Sequence, residues 1–370
     1  MPRSTLASPH VIPPVAEVLQ HPAFPTAIWT LVPAQSGLAP VAQTRAGGPF
    51  NISFEIHGTG PVKLVFIMGL GGLKSAWQRQ TLHFGHEHGD RYSVLVLDNR
   101  GMGLSDTPLR RYSSSEMARD LVDVLSHVGW LPAADPPSTA RTLHLVGISL
   151  GGMIAQELTL LIPSHVSSLS LVCTAAAIEN TTSFAENMAN RVSMLMPKSI
   201  DRAVRDTGLS LFPSAFLAAP DEAHLPDPDA TPSCLPPGGG GGEEGAKYLA
   251  FPTNAHRFVA QEMHKRMDPA RFGVKGFLLQ LVAAGWHSKT PEQLAGMADA
   301  VGRERIMVMH GTEDRMISVP HGRKMVEYVK PGRALIIEGM GHGPLMERTV
   351  WFNGVIEEMV AVGEKLDGRA

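Results

Sequence analysis

The sequence predicts an α/β domain in which helices cover both faces of a mostly parallel central sheet. Two observations support this fold class. Short apolar runs of strand length alternate with stretches of helical spacing from about residue 51 onward. Some of these runs end in glycine-rich turns, as the run Val62 to Met68 does at Gly69-Leu70-Gly71-Gly72. This alternation is typical of parallel strands that are joined by crossing helices.

The strands are predicted from alternating or continuously apolar runs that turn residues bound on either side. The predicted strands are 51–56, 62–68, 92–97, 143–148, 166–173, 305–309 and 334–337. Helical spacing follows most of these runs. The predicted helices include a stretch through Trp77 and Leu82, residues 113–128 with a serine N-cap, and residues 152–161.

Changes in composition suggest how the chain is organised. Residues 1–48 are rich in Pro, Ala and Thr, which predicts a partly ordered N-terminal extension with one edge strand around 27–32. We expect the α/β core to comprise residues 49–177 and 291–370. Between them, residues 178–290 lose the alternation and are interpreted as a helical lid insertion. Its Pro/Gly-rich segment near 220–245, with a run of five glycines, is predicted to be a flexible loop.

Composition and charge exclude several classes of function. The formal net charge of −3 over 370 residues gives no electrostatic basis for binding nucleic acid or anionic membranes. Two cysteines, Cys173 and Cys234, are too few to suggest a disulfide framework or a zinc site. We see no transmembrane run and no secretory signal, so a cytoplasmic location is expected. No cofactor and no metal are predicted.

Three closely spaced histidines require an interpretation of their own. His83, His86 and His88 have the spacing H-x-x-H-x-H in a polar stretch after a predicted helix. Such a spacing could hold a metal ion, but no cysteine lies nearby. A solvated loop is therefore the favoured interpretation.

The most informative motif is Gly147-Ile148-Ser149-Leu150-Gly151, between a predicted strand and a predicted helix. Glycines at Gly147 and Gly151 allow a very tight strand-to-helix turn, because they have no Cβ to clash as the backbone folds back. The turn lifts the hydroxyl of Ser149 to a helix N-terminus, where free N–H groups favour developing negative charge. Ser149 is therefore a candidate nucleophile.

A serine hydroxyl needs a base to take its proton and an acid to orient that base. Two later strands end in loops that offer both groups. The first loop is His310-Gly311-Thr312-Glu313-Asp314, and the second is Gly339-Met340-Gly341-His342-Gly343. In a parallel sheet these loops emerge on the same edge as Ser149. We predict that Asp314 and His342 join Ser149, with Glu313 as the alternative carboxylate.

From about Asn51 to Val360 the chain resembles the α/β-hydrolase fold superfamily. The segment Asp98 to Ser105 is similar to the D-x-R-G-x-G-x-S motif of the superfamily, and Met68 to Gly72 is similar to its oxyanion loop H-G-x-G-G. Three further segments match its nucleophile elbow, its acid loop and its histidine loop, namely Gly147 to Gly151, His310 to Asp314 and Gly341-His342. The five motifs occur in the expected order. One departure is that Met68 stands where the superfamily usually has His.

The resemblance implies roles for residues of this chain. Ser149 would be the nucleophile, His342 the general base and Asp314 its orienting acid. The backbone N–H groups of Leu70 and Leu150 would form the oxyanion hole. Supporting roles are expected for Gly69, Gly71, Gly147, Gly151, Asp98 and Arg100, the last two as structural braces of the loops. Because the oxyanion hole uses main-chain groups, Met68 should be tolerated.

These expectations together predict a serine hydrolase that acts on a carboxylic ester or a related acyl compound. The substrate would be a small apolar molecule held beneath the lid, and Trp286 and His287 could line its pocket or simply pack. Acyltransferase, thioesterase, lactonase, amidase and carbon–carbon bond hydrolase activities use the same triad and stay open. A non-catalytic binding protein on this fold is the alternative of another class. The sequence predicts no oligomeric state.

Overall fold

The structure is a computed structural model that describes residues 11–131, 141–179, 198–238 and 245–369. Its centre is an eight-stranded sheet in the order β1-β2-β4-β3-β5-β6-β7-β8. The strands are β1 Gln35–Val41, β2 Phe50–His57, β3 Val62–Ile67, β4 Tyr92–Leu97, β5 Leu143–Ile148, β6 Val166–Val172, β7 Ile306–Gly311 and β8 Arg333–Ile337.

Twelve α-helices lie in the described part of the chain, and several short helices of other types connect them. The α-helices are α1 Val15–Leu19, α2 Gln78–Gln80, α3 Ser114–His127, α4 Leu150–Leu161, α5 Ile200–Leu211, α6 Ser214–Ala218, α7 Asn254–Arg266, α8 Val274–Trp286, α9 Pro291–Val301, α10 Val319–Val329, α11 Pro344–Glu347 and α12 Thr349–Leu366. The 3-10 helices are Phe24–Thr26, Lys74–Trp77, Pro163–His165 and Arg303–Arg305, and a π-helix covers Thr81–Glu87.

Six of the eight strands, β3 to β8, run parallel to one another, whereas β1 and β2 are antiparallel additions at one edge. Every residue of β4, β5, β6 and β7 is buried. Both faces of these strands must therefore be covered, which explains why their sequences are mainly apolar, with the buried polar exceptions Ser93, His144, Ser167, Ser168, Ser170 and His310. One apolar cluster joins the sheet to α3, α4, α9 and α10, and a second joins its other face to α12. The predicted fold class is confirmed.

The edge strand of the N-terminal extension lies at Gln35–Val41, not at 27–32. Trp29 and Leu31 made residues 27–32 look like a strand, but their side chains pack in a small cluster with Leu82 and Tyr248 instead. The true strand contains Pro40, which an edge position tolerates because one side of the strand has no partner.

The described residues 198–238 and 245–290 lie between β6 and α9, and we refer to them as the insertion. Its segment 221–238 contains no helix or strand, yet it is packed. The carboxylate of Asp221 lies 2.6 Å from the guanidinium of Arg257, and both side chains are buried. The hydroxyl of Tyr248 donates to the carbonyl of Leu235 at 2.8 Å. The segment 221–238 of the predicted flexible loop thus packs against the rest of the insertion, while 239–244 lie outside the described residues.

Candidate active site

Ser149 occupies a sharp turn between β5 and α4. Its backbone has φ 57° and ψ −124°, a conformation that costs free energy for any residue with a Cβ. The turn is possible because the residues two positions away on each side are glycines: a Cβ on Gly147 would lie 2.4 Å from the carbonyl oxygen of Gly151, and one on Gly151 would lie 2.0 Å from that of Ile67. The hydroxyl of Thr174 donates to the carbonyl of Ser149 at 2.7 Å and holds the turn from below.

Asp314 and His342 form a buried pair. They follow β7 and β8, whose carboxyl ends lie on the same sheet edge as that of β5. Nδ1 of His342 lies 2.6 Å from Oδ2 of Asp314. Since an ionised carboxylate only accepts, Nδ1 carries the proton and the other ring nitrogen, Nε2, can act as an acceptor. This is the arrangement that a general base requires.

The surroundings of Asp314 keep it ionised. Its Oδ1 accepts from the backbone N–H groups of Met316 and Ile317 at 2.9 and 2.8 Å. Burial by itself would raise the pKa of Asp314. The charge of His342 and hydrogen bonds from His310 and His342 outweigh that effect and hold the pKa well below its usual value.

Two further residues near Asp314 were not anticipated from the sequence. His310 is fully buried, and its Nε2 lies 3.3 Å from Oδ2 of Asp314 and 2.7 Å from the carbonyl oxygen of Ile317. Cys173 follows β6, and ligand atoms of Cys173, Asp314 and His342 all lie within 4.8 Å of one another. Burial and the charge of Asp314 raise the pKa of the Cys173 thiol well above its ordinary value, which makes it unreactive as a nucleophile.

Glu313, the alternative carboxylate, points away from this pair. Its side chain is 45% exposed and lies 3.8 Å from the guanidinium of Arg315. The geometry therefore favours Asp314 over Glu313 as the partner of His342.

The loop Met68 to Gly72, which we call the oxyanion loop after its predicted role, lies directly against Ser149. A Cβ on Gly69 would lie only 2.8 Å from the Cβ of Ser149, so only glycine lets the loop come this close. Within the described chain, no backbone carbonyl of a loop or turn accepts from the N–H of Leu70. Leu150 begins α4, where N–H groups have no partner in the helix. Asn99 donates to the carbonyl of Met68 at 2.8 Å and anchors the start of the loop.

A side chain from the insertion holds the next peptide of the oxyanion loop. Gln280 on α8 is fully buried, and its Oε1 accepts from the N–H of Gly71 at 3.0 Å. Its Nε2 donates to the carbonyl of Arg100 at 2.9 Å. Close backbone contact accompanies this bridge, because a Cβ on Gly276 would lie 1.9 Å from the carbonyl oxygen of Gly101. Gln280 was missed in the sequence because no motif marks it.

Asp98 and Arg100 do not contact each other, but each one braces a different part of the site. Asp98 accepts from the backbone N–H and from Nζ of Lys74, both at 2.8 Å, and from the N–H of Leu104 at 3.1 Å. Arg100 binds both carboxylate oxygens of Asp120, at 2.6 and 2.7 Å, below the surface. Asp98 and Arg100 thus join the loop 98–105 to neighbouring elements.

Two other candidates from the sequence, Trp286 and His287, make no hydrogen bond to Ser149, Asp314 or His342 in the described structure. Trp286 is largely exposed, whereas His287 is buried and bonds to Ser114 at 2.8 Å and to Gln156 at 3.2 Å, as a packing residue does. A cavity of about 760 Å³ lies between α1 and the insertion, and none of Ser149, Asp314 and His342 lines it. Within the described residues, no helix combines the length and apolar character needed to cross a membrane.

Comparison with known proteins agrees with this architecture. The chain is 28% identical over 172 residues to a protein of Azorhizobium caulinodans that carries the name carbamate hydrolase RutD, covering 46% of this chain and 58% of that one. It is 32% identical over 115 residues to 3-oxoadipate enol-lactonase 2 of Acinetobacter baylyi, covering 31% of this chain and 38% of that one. The chain thus spans about half the length, or less, of these curated relatives.

A solved structure extends the likeness over nearly the whole molecule. A thermophilic esterase from Thermogutta terrifontis superimposes with a TM-score of 0.61 at 18% identity, covering 89% of this chain and 99% of that one. This likeness shows the fold. The model of the alpha/beta hydrolase family matches residues 56–355. Because this match spans most of the chain, the protein belongs to the alpha/beta hydrolase family.

Proposed function

We propose that this protein is a serine hydrolase that cleaves a carboxylic ester, or a related acyl compound, through an acyl-enzyme intermediate. The observation that carries the proposal is the buried pair of Asp314 and His342, joined at 2.6 Å on the sheet edge where Ser149 occupies its sharp turn. A non-catalytic binding protein would need neither a buried acid nor an oriented imidazole.

The proposed reaction has two halves. Oγ of Ser149 attacks the carbonyl carbon while Nε2 of His342 takes the hydroxyl proton, and the negative oxygen is held by the N–H groups of Leu70 and Leu150. His342 then passes that proton to the leaving alcohol, which departs and leaves an ester on the serine. A water molecule, deprotonated by His342, repeats the attack and releases the acid and the free serine. Asp314 stays ionised and stabilises the imidazolium that forms in each half.

The choice of substrate class rests on the triad and on the names of the relatives. Carbamate, lactone and ester are the groups in the names of the three similar proteins. In all three groups a carbonyl carbon is bonded to a heteroatom. The tetrahedral intermediate that forms when the serine attacks this carbon can expel that heteroatom with its substituent. A serine at this strand-to-helix turn disfavours epoxide hydrolase and haloalkane dehalogenase activity, because those enzymes have an aspartate at that position. Thioesterase, lactonase, amidase, carbon–carbon bond hydrolase and acyltransferase activities use the same groups and are distinguished by substrate.

The insertion is proposed to act as the lid of the site. Its contacts support this role: the N–H of His342 donates to the carbonyl of Leu211 at 2.7 Å, and Gln280 holds the oxyanion loop. Aromatic side chains of the insertion lie beside that loop, since a Cβ on Gly71 would approach Phe277 to 2.9 Å and Phe272 to 3.4 Å. An apolar acyl or alcohol group would fit against such a surface.

The proposal is tested by labelling the purified protein with a fluorophosphonate probe and by assaying p-nitrophenyl esters of different chain length. Ser149→Ala should abolish both labelling and hydrolysis while leaving the melting temperature close to that of the wild type. The exposed Ser164→Ala serves as the matched control and should behave as the wild type does. A wild-type protein that neither labels nor hydrolyses any ester, thioester, lactone or amide would favour the binding-protein alternative. Labelling that persists in Ser149→Ala would show that the nucleophile is another residue.

A further inference from the structure

The structure brings together three side chains of metal-ligating types, none of which belongs to the proposed triad. Ligand atoms of His83, His88 and Glu357 all lie within 4.8 Å of one another. His83 belongs to the π-helix, His88 follows it directly, and Glu357 lies on α12. We propose that these three residues bind a divalent transition-metal ion, with Zn²⁺ the ion expected from the ligand set.

The π-helix is what makes the two histidines neighbours. In an α-helix, residues five positions apart point about 140° away from each other. In a π-helix the hydrogen bond runs between such residues, and the N–H of His88 accordingly donates to the carbonyl of His83 at 3.1 Å. The two rings lie edge to face with their centroids 4.8 Å apart. π-Helical turns are often found at functional sites, and here the turn places two imidazoles on one side.

Glu357 completes the set from a different element. Its Oε1 lies 2.8 Å from Nε2 of His83. Two imidazoles and one carboxylate are ligands that Zn²⁺ accepts, with a fourth position for water, whereas Mg²⁺ and Ca²⁺ prefer oxygen alone. Tetrahedral ligand atoms of Zn²⁺ are roughly 3.4 Å apart, so atoms at the 4.8 Å limit must move about 1.4 Å closer together, while Nε2 of His83 and Oε1 of Glu357 must separate slightly from 2.8 Å. The exposed side chain of His88 can supply that movement by rotating.

A carboxylate also lies on the far side of His83. Nδ1 of His83 is 3.6 Å from Oε2 of Glu87, and the other oxygen of Glu87 lies 2.6 Å from Nε2 of His224. Metal-bound imidazoles commonly direct their second nitrogen at a carboxylate, which fixes the ring and raises its basicity. His86, the third histidine of the sequence motif, is not part of this site: it is buried and lies 2.9 Å from His57 and 2.7 Å from the carbonyl oxygen of Pro232.

The ion would join the π-helix to α12. Because the unfolded chain does not hold these ligands together, binding should favour the folded state and raise the melting temperature. The proposal does not depend on the proposed hydrolase activity, since none of the three ligands belongs to the triad or to the oxyanion loop.

The test is a calorimetric titration of untagged, chelator-treated full-length protein with ZnCl₂, together with thermal melts. The wild type should bind Zn²⁺ and melt a few degrees higher with it. Binding to this site should be at least about tenfold weaker in His83→Ala and in Glu357→Gln. The controls Glu358→Gln, next along α12, and His127→Ala, an exposed histidine of α3, should keep wild-type affinity.

Three results would overturn the proposal. One is the absence of Zn²⁺ binding by the wild type. The second is unchanged affinity in both ligand variants when their metal-free melts show that they fold. The third is binding that persists in His83→Ala and inhibits ester hydrolysis, because this behaviour would place the ion at Cys173, Asp314 and His342 instead.

Discussion

Gln280 offers a direct test of whether the insertion shapes the proposed oxyanion hole. On α8 the exposed positions are largely apolar, while Gln280, one of only two polar side chains of this helix, is fully buried. Gln280→Leu would remove the acceptor of the Gly71 N–H and the donor to the Arg100 carbonyl. Each buried group left without a partner costs about 1–3 kcal/mol, so the loop is expected to shift rather than keep both groups unpaired.

A shift of this loop would move the N–H of Leu70, which precedes Gly71. Loss of one oxyanion donor reduces kcat by about 10²–10³. We therefore expect Gln280→Leu to lower kcat for a p-nitrophenyl ester by about 10²-fold, with KM changed by less than about threefold. Gln280→Glu keeps the acceptor for Gly71 and should recover part of the rate. Lys275→Leu, an exposed change on the same helix, is the control.

The readout separates a positioning role from a merely structural one. A structural role would lower the melting temperature and the fraction of active protein, but would leave kcat per labelled active site unchanged. Active sites are therefore counted by fluorophosphonate labelling before rates are compared. A folded Gln280→Leu protein with kcat within about threefold of the wild type would refute the reasoning.

Three other perturbations follow from the structure. Asp314→Asn should lower kcat for a p-nitrophenyl ester by about 10³–10⁴, because an amide favours the wrong tautomer of His342. In the same assay, the kcat of Glu313→Gln should stay within about threefold of the wild-type value. The reverse ranking would identify Glu313 as the acid. Arg257→Ala should destabilise the protein by about 3–5 kcal/mol in chemical denaturation, because it leaves the buried carboxylate of Asp221 without its partner. The control is Arg271→Ala, which removes an exposed ion pair and should cost under about 1 kcal/mol. Equally small effects of both changes would mean that the pair of Arg257 and Asp221 does not hold the segment 221–238. Burial lowers the pKa of His287 to about 3, so the unfolded chain binds an extra proton between about pH 6.5 and 3 and stability falls as the pH falls through that window. His287→Gln should reduce this slope by about 1.4 kcal/mol per pH unit between pH 6 and 5, and an unchanged slope would show that His287 is already protonated in the folded protein.

Patterns that depend on burial within the sheet were predicted well from the sequence. Predicted strands such as 92–97 and 143–148 coincide with β4 and β5, because a strand covered on both faces is mainly apolar along its length. The position of each strand in the sheet also fixes where the loop after it begins. The placement of Ser149, Asp314 and His342 at one sheet edge therefore follows from the order of the strands, although their catalytic roles stay a prediction.

Features that depend on contacts between distant segments could not be read in the same way. Trp29 and Leu31 fit a strand pattern, but their apolar side chains pack in a cluster with Leu82 and Tyr248, which lie far away in the sequence. Asp221 is one acidic residue in a segment whose composition suggests disorder, and only the fold shows Arg257 beside it. Gln280 likewise has no local signature, because what matters is the pair of backbone groups that it meets. Local propensity carries no information about such partners.

The hydrogen bonds of the insertion bear on how a substrate could enter. One main-chain bond joins the carbonyl of Leu211 to the N–H of His342, and another joins the carbonyl of Arg271 to the N–H of Gly103. With the bridge made by Gln280, these bonds tie the insertion to the histidine loop, to the loop 98–105 and to the oxyanion loop. A lid that swung open as one body would have to break all three and would disturb the base and the oxyanion hole together. Under the proposed function, the triad and the oxyanion hole would therefore keep their geometry only while the insertion is docked, so changes at this contact should alter kcat and not KM alone.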